Sequence, residues 1–236
     1  MRAVAFGAHP DDVELYAGGL VAGWARRGVE VTLVDLTAGE LGTRGSVETR
    51  AAEAAEAARI LGVKREGLRL PDGKLSAEDP AQLAAVVEAL RRHRPDVILG
   101  PGPRDPHPDH AAACLLIRKA RFLARLAKWP AAGEPCRPGP VLLYEQKTPF
   151  EPDLIVDVSA DQETKRRAIA AYGSQFRREA GDAAKTEISE PAFHAMLEAR
   201  SRVHGYRIGA EWGEGYQREE VEAVFDPTIL IPGSAA

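Results

Sequence analysis

Cysteine is scarce in this sequence. Its 236 residues include two, Cys114 and Cys136, and they form no CxxC pair. A disulfide scaffold for a chain of this length would use more, so both are expected to be reduced thiols in a cytoplasmic protein, with Cys114 in the core. Long apolar runs are missing too. None approaches the ~18–20 residues of a membrane helix, and no signal-peptide pattern precedes the first strand-like run, which argues against a membrane partner. Basic excess is absent: 31 Lys and Arg stand against 35 Asp and Glu, a net charge of -4. The positive residues are dispersed rather than interleaved with aromatics, which argues against a nucleic-acid partner. Methionine occurs twice while charged residues reach 28%, a balance compatible with a thermophile. There is no internal repeat or low-complexity segment. Nor does a GxGxxG follow the first strand: Gly7-Ala8-His9-Pro10-Asp11 stands there, and its aspartates would repel a phosphate.

What is present is an alternation. Apolar runs at residues 2–7, 29–36, 67–70 and 97–100 are predicted strands. Helical spacing is predicted over 13–27, from Ser46 to Gly62, over 80–93, and from His110 to about Lys128. Gly18 and Gly19 weaken the first helix unless a neighbouring group must pass close by. Strand-like segments follow at 141–145, 154–158 and 221–225, with helices near 161–172 and 191–204 and a polar loop from Arg177 to Ser189. Four strand–helix alternations indicate an α/β fold, a mostly parallel sheet flanked by helices. The whole chain, 1–236, is expected to be a single domain with a C-terminal α/β extension. In such sheets ligands bind beyond the carboxyl ends of the strands. His9–Asp12, the Gly39–Gly45 loop, Asp72 and Arg104–His110 all follow strands and should share one rim.

Two of these stretches carry chemistry. Ala8-His9-Pro10-Asp11-Asp12-Val13-Glu14 follows the first strand, and Arg104-Asp105-Pro106-His107-Pro108-Asp109-His110 follows the fourth. A lone His-Pro-Asp is most often a turn whose Asp caps a helix. Two such clusters at equivalent strand ends favour a shared metal site instead. Histidine and carboxylate suit zinc, and a hydrolytic site keeps three protein ligands and an open position for water. His9 and Asp12, three residues apart, can aim inward together, and His110 completes a His-Asp-His set. Asp11 is then the natural base. His107 is placed to stabilise an oxyanion as an imidazolium and to protonate a leaving amine, with Asp109 orienting its ring. Asp105 and Glu14 read as supporting groups.

His9-Pro10-Asp11-Asp12-Val13-Glu14 resembles the AHPDDxE signature, and His107-Pro108-Asp109-His110 the HPDH signature, of the LmbE/PIG-L family of zinc-dependent N-deacetylases. Later segments, Tyr172-Gly173-Ser174-Gln175-Phe176, Glu198-Ala199-Arg200 and Gly209 to Gly215, resemble the bacillithiol-pathway branch, which deacetylates N-acetylglucosaminyl-malate. Trp212 stands where relatives often carry tyrosine. The resemblance implies a Rossmann-like fold, zinc on His9, Asp12 and His110, Asp11 as base, and His107 paired with Asp109. It also implies an N-acetylated sugar substrate and a homo-oligomer, often a hexamer. Ferrous iron accepts the same ligands. Arg50 and Asp72 match substrate-contacting positions, the first for a carboxylate and the second for sugar hydroxyls. The alternatives for these two are a solvated helix-face arginine and an ordinary Asp-Gly turn.

Overall fold

The computed structural model describes residues 1–177 and 185–219. The predicted strand Val221–Phe225 lies outside them, as does part of the polar loop before Ser189. Five strands follow the expected alternation: β1 (Arg2–Gly7), β2 (Glu30–Thr37), β3 (Lys64–Leu70), β4 (Val97–Pro101) and β5 (Val141–Tyr144). Four helices separate them: α1 (Asp12–Arg26), α2 (Val47–Leu61), α3 (Pro80–His93) and α4 (Pro108–Leu123). Then come β6 (Leu154–Asp157), α5 (Gln162–Ala170), the single turn α6 (Gly173–Phe176), a 3-10 turn at Glu187–Ser189, α7 (Pro191–Ile208) and β7 (Gly213–Arg218).

The strands form one seven-stranded sheet in the order β3-β2-β1-β4-β5-β7-β6. β1 to β5 pair in parallel, and β7 enters antiparallel between β5 and β6. The order reverses direction between β1 and β4, the crevice where open α/β sheets bind ligands. Both motifs hang from that crevice, one on each strand. Apolar residues alternate faces along β1: Ala3 and Ala5 join the core under α1, α2 and α5, while Val4 and Phe6 join the core under α3 and α4. Burial on both faces is why these strands read as unbroken apolar runs.

Local signals account for several boundaries. Ser46 caps α2 by accepting from the Thr49 N–H at 3.2 Å, and Gly62 ends that helix at φ 72°. Helix α4 starts two residues earlier than predicted and ends about five earlier. Pro108 is tolerated in its first turn, and the buried Arg91 takes the carbonyls of Ala124, Leu126, Ala131 and Gly133 just past its end. Strand β3 is longer than predicted because its charged first half is paired. Lys64 meets Glu30, and the half-buried Arg65 lies between Asp35 (2.6 and 2.7 Å) and Glu14 (2.5 Å). Glu14, fully buried, also accepts from the Tyr172 hydroxyl at 3.0 Å. It ties α1 to the sheet, in keeping with a supporting role.

The glycines inside α1 have a steric cause. A Cβ on Gly19 would stand 2.7 Å from Val158 Cβ and 2.9 Å from Glu214 Oε1. Glu214 accepts from the N–H groups of Gly19 (2.9 Å) and Leu20 (2.8 Å) and from Lys165 Nζ (2.6 Å). Gly19→Ala is therefore expected to destabilise the fold by ~1–3 kcal/mol, despite the better helix propensity of alanine. A thermal melt should fall by roughly 2–4 °C per kcal/mol in a chain of this size.

Candidate metal centre

The turn after β1 is held open by its neighbours. Thr37, at the end of β2, donates through its hydroxyl (2.9 Å) and its N–H (3.0 Å) to the Ala8 carbonyl. The Tyr144 hydroxyl donates to the Phe6 carbonyl at 2.8 Å. Asp11 precedes α1 with φ 113°, a left-handed conformation that costs a non-glycine residue about 1–3 kcal/mol. Its carboxylate makes no cap bond to the helix, so capping does not account for it. It meets Arg50 Nη2 at 2.8 Å. The neighbouring carboxylate, Asp12, accepts from the His9 N–H at 2.9 Å.

The structure brings His9, Asp12 and His110 together across β1 and β4. His9 Nδ1 lies 3.7 Å from one Asp12 oxygen, and His110 Nε2 lies 3.3 Å from the other. The opposite nitrogen of each ring is backed by a carboxylate. His9 Nε2 is 3.0 Å from Asp72 Oδ1 and 3.6 Å from Asp109 Oδ2, and His110 Nδ1 is 3.0 Å from Asp105 Oδ1. Carboxylates behind imidazoles are the usual support of metal-binding histidines, fixing which nitrogen faces the ion. Tetrahedral zinc with bonds of about 2.0–2.1 Å keeps neighbouring ligand atoms roughly 3.3–3.4 Å apart, close to the His110–Asp12 spacing. Among the described residues, the sets whose ligand atoms all lie within 4.8 Å of one another are two overlapping ones, His9–His107–His110 and His9–Asp72–Asp109. The backing carboxylates favour His9, Asp12 and His110, because they leave His9 Nδ1 and His110 Nε2 facing Asp12.

The electrostatics call for positive charge. Burial opposes protonation of His9, yet Asp109, Asp12 and Asp72 push its pKa up to about 12. Burial likewise opposes His110, and Asp12 and Asp105 raise it to about 9. Burial works against the Asp12 carboxylate as well, but the two rings hold it well below its usual range. Asp109, Asp105 and Asp72 are also lowered: burial is outweighed by His9 at Asp109 and Asp72 and by His110 at Asp105. Asp11 goes the other way, to about 7, through burial that Arg50 only partly offsets. A divalent cation would replace the protons that these carboxylates otherwise hold on the two rings.

The contacts revise the reading of His107, Arg50 and Asp72. The His107 ring takes the Asp109 main-chain N–H on Nδ1 at 3.3 Å. The Asp109 carboxylate instead accepts from Gly73 N (2.7 Å) and Leu75 N (3.1 Å) and faces His9. His107 is also shifted away from the expected imidazolium. Burial and then the charges of His9 and His110 lower its pKa, outweighing Asp109 and Asp12. Arg50 is not a solvated helix-face arginine: it is 7% exposed, with Nε and Nη2 on the Pro10 carbonyl and Nη2 also on Asp11. Asp72 is more than a turn residue, since it accepts from Leu41 N (2.9 Å) and faces His9.

Asp105 is itself held on several sides. Besides His110 it accepts from the N–H of His107 and of Lys147, both at 2.9 Å. Asp105→Ala should leave the fold intact and weaken zinc affinity ~10–100-fold, read by competition against a chromophoric chelator. The spacing of the second motif hints at this residue, five positions before His110. Thr37 carried no such signal, being one threonine at a strand end.

The sequence profile of the PIG-L family, described as GlcNAc-PI de-N-acetylase, matches residues 4–121. The chain belongs to this family. It is 36% identical to a conserved protein of Thermus thermophilus, with 99% of each chain covered and a TM-score of 0.86. It is 29% identical over 215 residues to the diacetylchitobiose deacetylase of Thermococcus kodakarensis, covering 84% of this chain and 77% of that one. It is 29% identical over 244 residues to 1D-myo-inositol 2-acetamido-2-deoxy-alpha-D-glucopyranoside deacetylase 2 of Saccharopolyspora erythraea, covering 79% and 88%. This PIG-L member is a metal-dependent amide hydrolase, with the α/β architecture described above. Among its described residues no helix is long and apolar enough to cross a membrane.

Proposed function

We propose that this chain removes the N-acetyl group from a glucosamine conjugate, with N-acetylglucosaminyl-malate of bacillithiol biosynthesis as its candidate substrate. The Asp12 carboxylate between His9 Nδ1 and His110 Nε2 carries the reading. These three would hold zinc or ferrous iron, whose Lewis acidity polarises the acetamide carbonyl and acidifies a water. Asp11 accepts the water's proton as its oxygen bonds to the carbonyl carbon. The same carboxyl returns that proton to the nitrogen as the C–N bond breaks, releasing acetate and the free amine. His107, neutral with Nδ1 accepting, keeps its proton on Nε2. From there it donates to the oxyanion of the tetrahedral intermediate. Asp72 retains lone pairs for a sugar hydroxyl beyond those used by His9 and Leu41.

Support for the malate conjugate is confined to the late segments, and their residues serve packing. Tyr172 bonds Glu14, Ser174 bonds Glu53, and Arg200 holds the carbonyls of Gln146 and Lys147. Trp212 is buried beneath the guanidinium of Arg202, 3.7 Å from the ring centroid. Other N-acetylglucosamine derivatives, or a bacillithiol or mycothiol conjugate cleaved as an amide, are therefore the rival substrates. A panel separates them: zinc-loaded protein with N-acetylglucosaminyl-malate, diacetylchitobiose, the acetylated inositol glycoside and a thiol conjugate, scored by acetate and free amine. Chelation is expected to abolish release, and added zinc or ferrous iron to restore it. Turnover that survives complete metal removal would overturn the proposal. Residence in a reducing cytoplasm fits the two free cysteines, and a homo-oligomer, up to a hexamer, is proposed from the family resemblance alone.

A further inference from the structure

Arg50 lies on α2, at the rim where a substrate carboxylate was expected to meet it, yet its guanidinium faces inward. Nε and Nη2 donate to the Pro10 carbonyl at 3.1 and 2.7 Å, and Nη2 also reaches Asp11 Oδ2 at 2.8 Å. Both acceptors belong to the turn in which Asp11 sits at φ 113°. Two glycines of the 39–45 loop make room on the other side. A Cβ on Gly39, itself at φ 66°, would stand 2.4 Å from Arg50 Nη1, and one on Gly42 would stand 3.3 Å from it. The helix that carries Arg50 is anchored by its Ser46 cap, and the Arg50 N–H closes on the Ser46 carbonyl at 2.9 Å.

We propose that Arg50 is a positioning residue for Asp11, clamping the Pro10–Asp11 turn in its left-handed conformation so that the carboxylate is aimed for proton transfer. A planar fork that grips a backbone carbonyl and a carboxylate together holds the angle between them, which a lysine cannot do. The glycines of the 39–45 loop are then part of the clamp. The inference rests on the amide-hydrolase reading of the site, in which Asp11 is the base.

The test uses zinc-loaded Arg50→Ala, Arg50→Lys and Gly39→Ala, the last displacing the guanidinium while keeping it. Zinc content, kcat and KM are measured on the best substrate of the panel, and the Arg50→Ala crystal structure is determined. The expected result is kcat about 100-fold lower, the size of penalty a misplaced catalytic group incurs, with KM nearly unchanged and zinc retained. Guanidinium ion added at millimolar concentration should restore part of the Arg50→Ala rate and none of an Asp11→Asn rate. In the crystal, Asp11 should leave the positive-φ region. A tenfold or larger rise in KM at unchanged kcat would make Arg50 a substrate contact and overturn the proposal, as would Asp11 unmoved in the variant crystal. An inactive wild type would count against the deacetylase reading, and the crystal would still decide the clamp.

Discussion

Asp11→Asn is expected to bind zinc as the parent does and to lose most of its turnover, ~10²–10⁴-fold in kcat. Asparagine is isosteric, and its oxygen can still accept from Arg50 Nη2, so the left-handed turn survives. Asp12, one residue on, keeps both of its oxygens on the histidines. What is lost is the capacity to take a proton. Burial leaves Asp11 with a pKa near neutrality, at about 7, the range in which a carboxyl both accepts and returns a proton readily. Acetate release with zinc measured on the same samples decides the matter. An unchanged rate would remove Asp11 as the base. A wild type that holds zinc and turns over nothing would make the site a binding centre alone.

Asp12→Ala should have the other large effect, by a different route. Asp12 is the one carboxylate shared by the two facing nitrogens, at 3.7 and 3.3 Å, and it also accepts the His9 N–H. Its loss leaves two imidazoles without the anion between them. Zinc affinity should fall by more than the ~10–100-fold expected for an outer partner such as Asp105. Dialysed protein should then carry little zinc by elemental analysis and release no acetate, while excess zinc restores at most a small fraction. Full occupancy in Asp12→Ala would instead assign the ion to one of the overlapping sets, His9–His107–His110 or His9–Asp72–Asp109.

The parallel half of the fold was readable because its strands are buried on both faces. Ala3-Val4-Ala5-Phe6 and Val97-Ile98-Leu99 have no alternation to obscure them. β7 was not readable: Gly-Glu-Gly-Tyr-Gln-Arg is polar by composition, and its buried carboxylate, Glu214, is satisfied by Lys165 and by N–H groups of α1 from distant parts of the chain. The charged start of β3 was missed for the same reason, since Arg65 is neutralised by Asp35 and Glu14 rather than by any near neighbour in sequence. Helix α4 was extended too far because the tether that ends it, Arg91, belongs to another helix.

The donor chemistry is written in the chain itself. Two short His/Asp clusters, each placed after an apolar run, name the atoms available to a cation, and the strand–helix alternation sends both to one rim of the sheet. Their partnerships are not written there. The order β2-β1-β4 sets the two clusters side by side, and packing then turns Asp109 toward His9 and the 73–75 backbone, away from the His107 ring. It also drives Arg50 inward onto Asp11. Spacing along a strand or helix determines which face a residue occupies. The direction in which a buried charge points is settled by whichever opposite charge or backbone dipole the assembled fold brings within about 3 Å, because a buried ion without such a partner is too costly to keep.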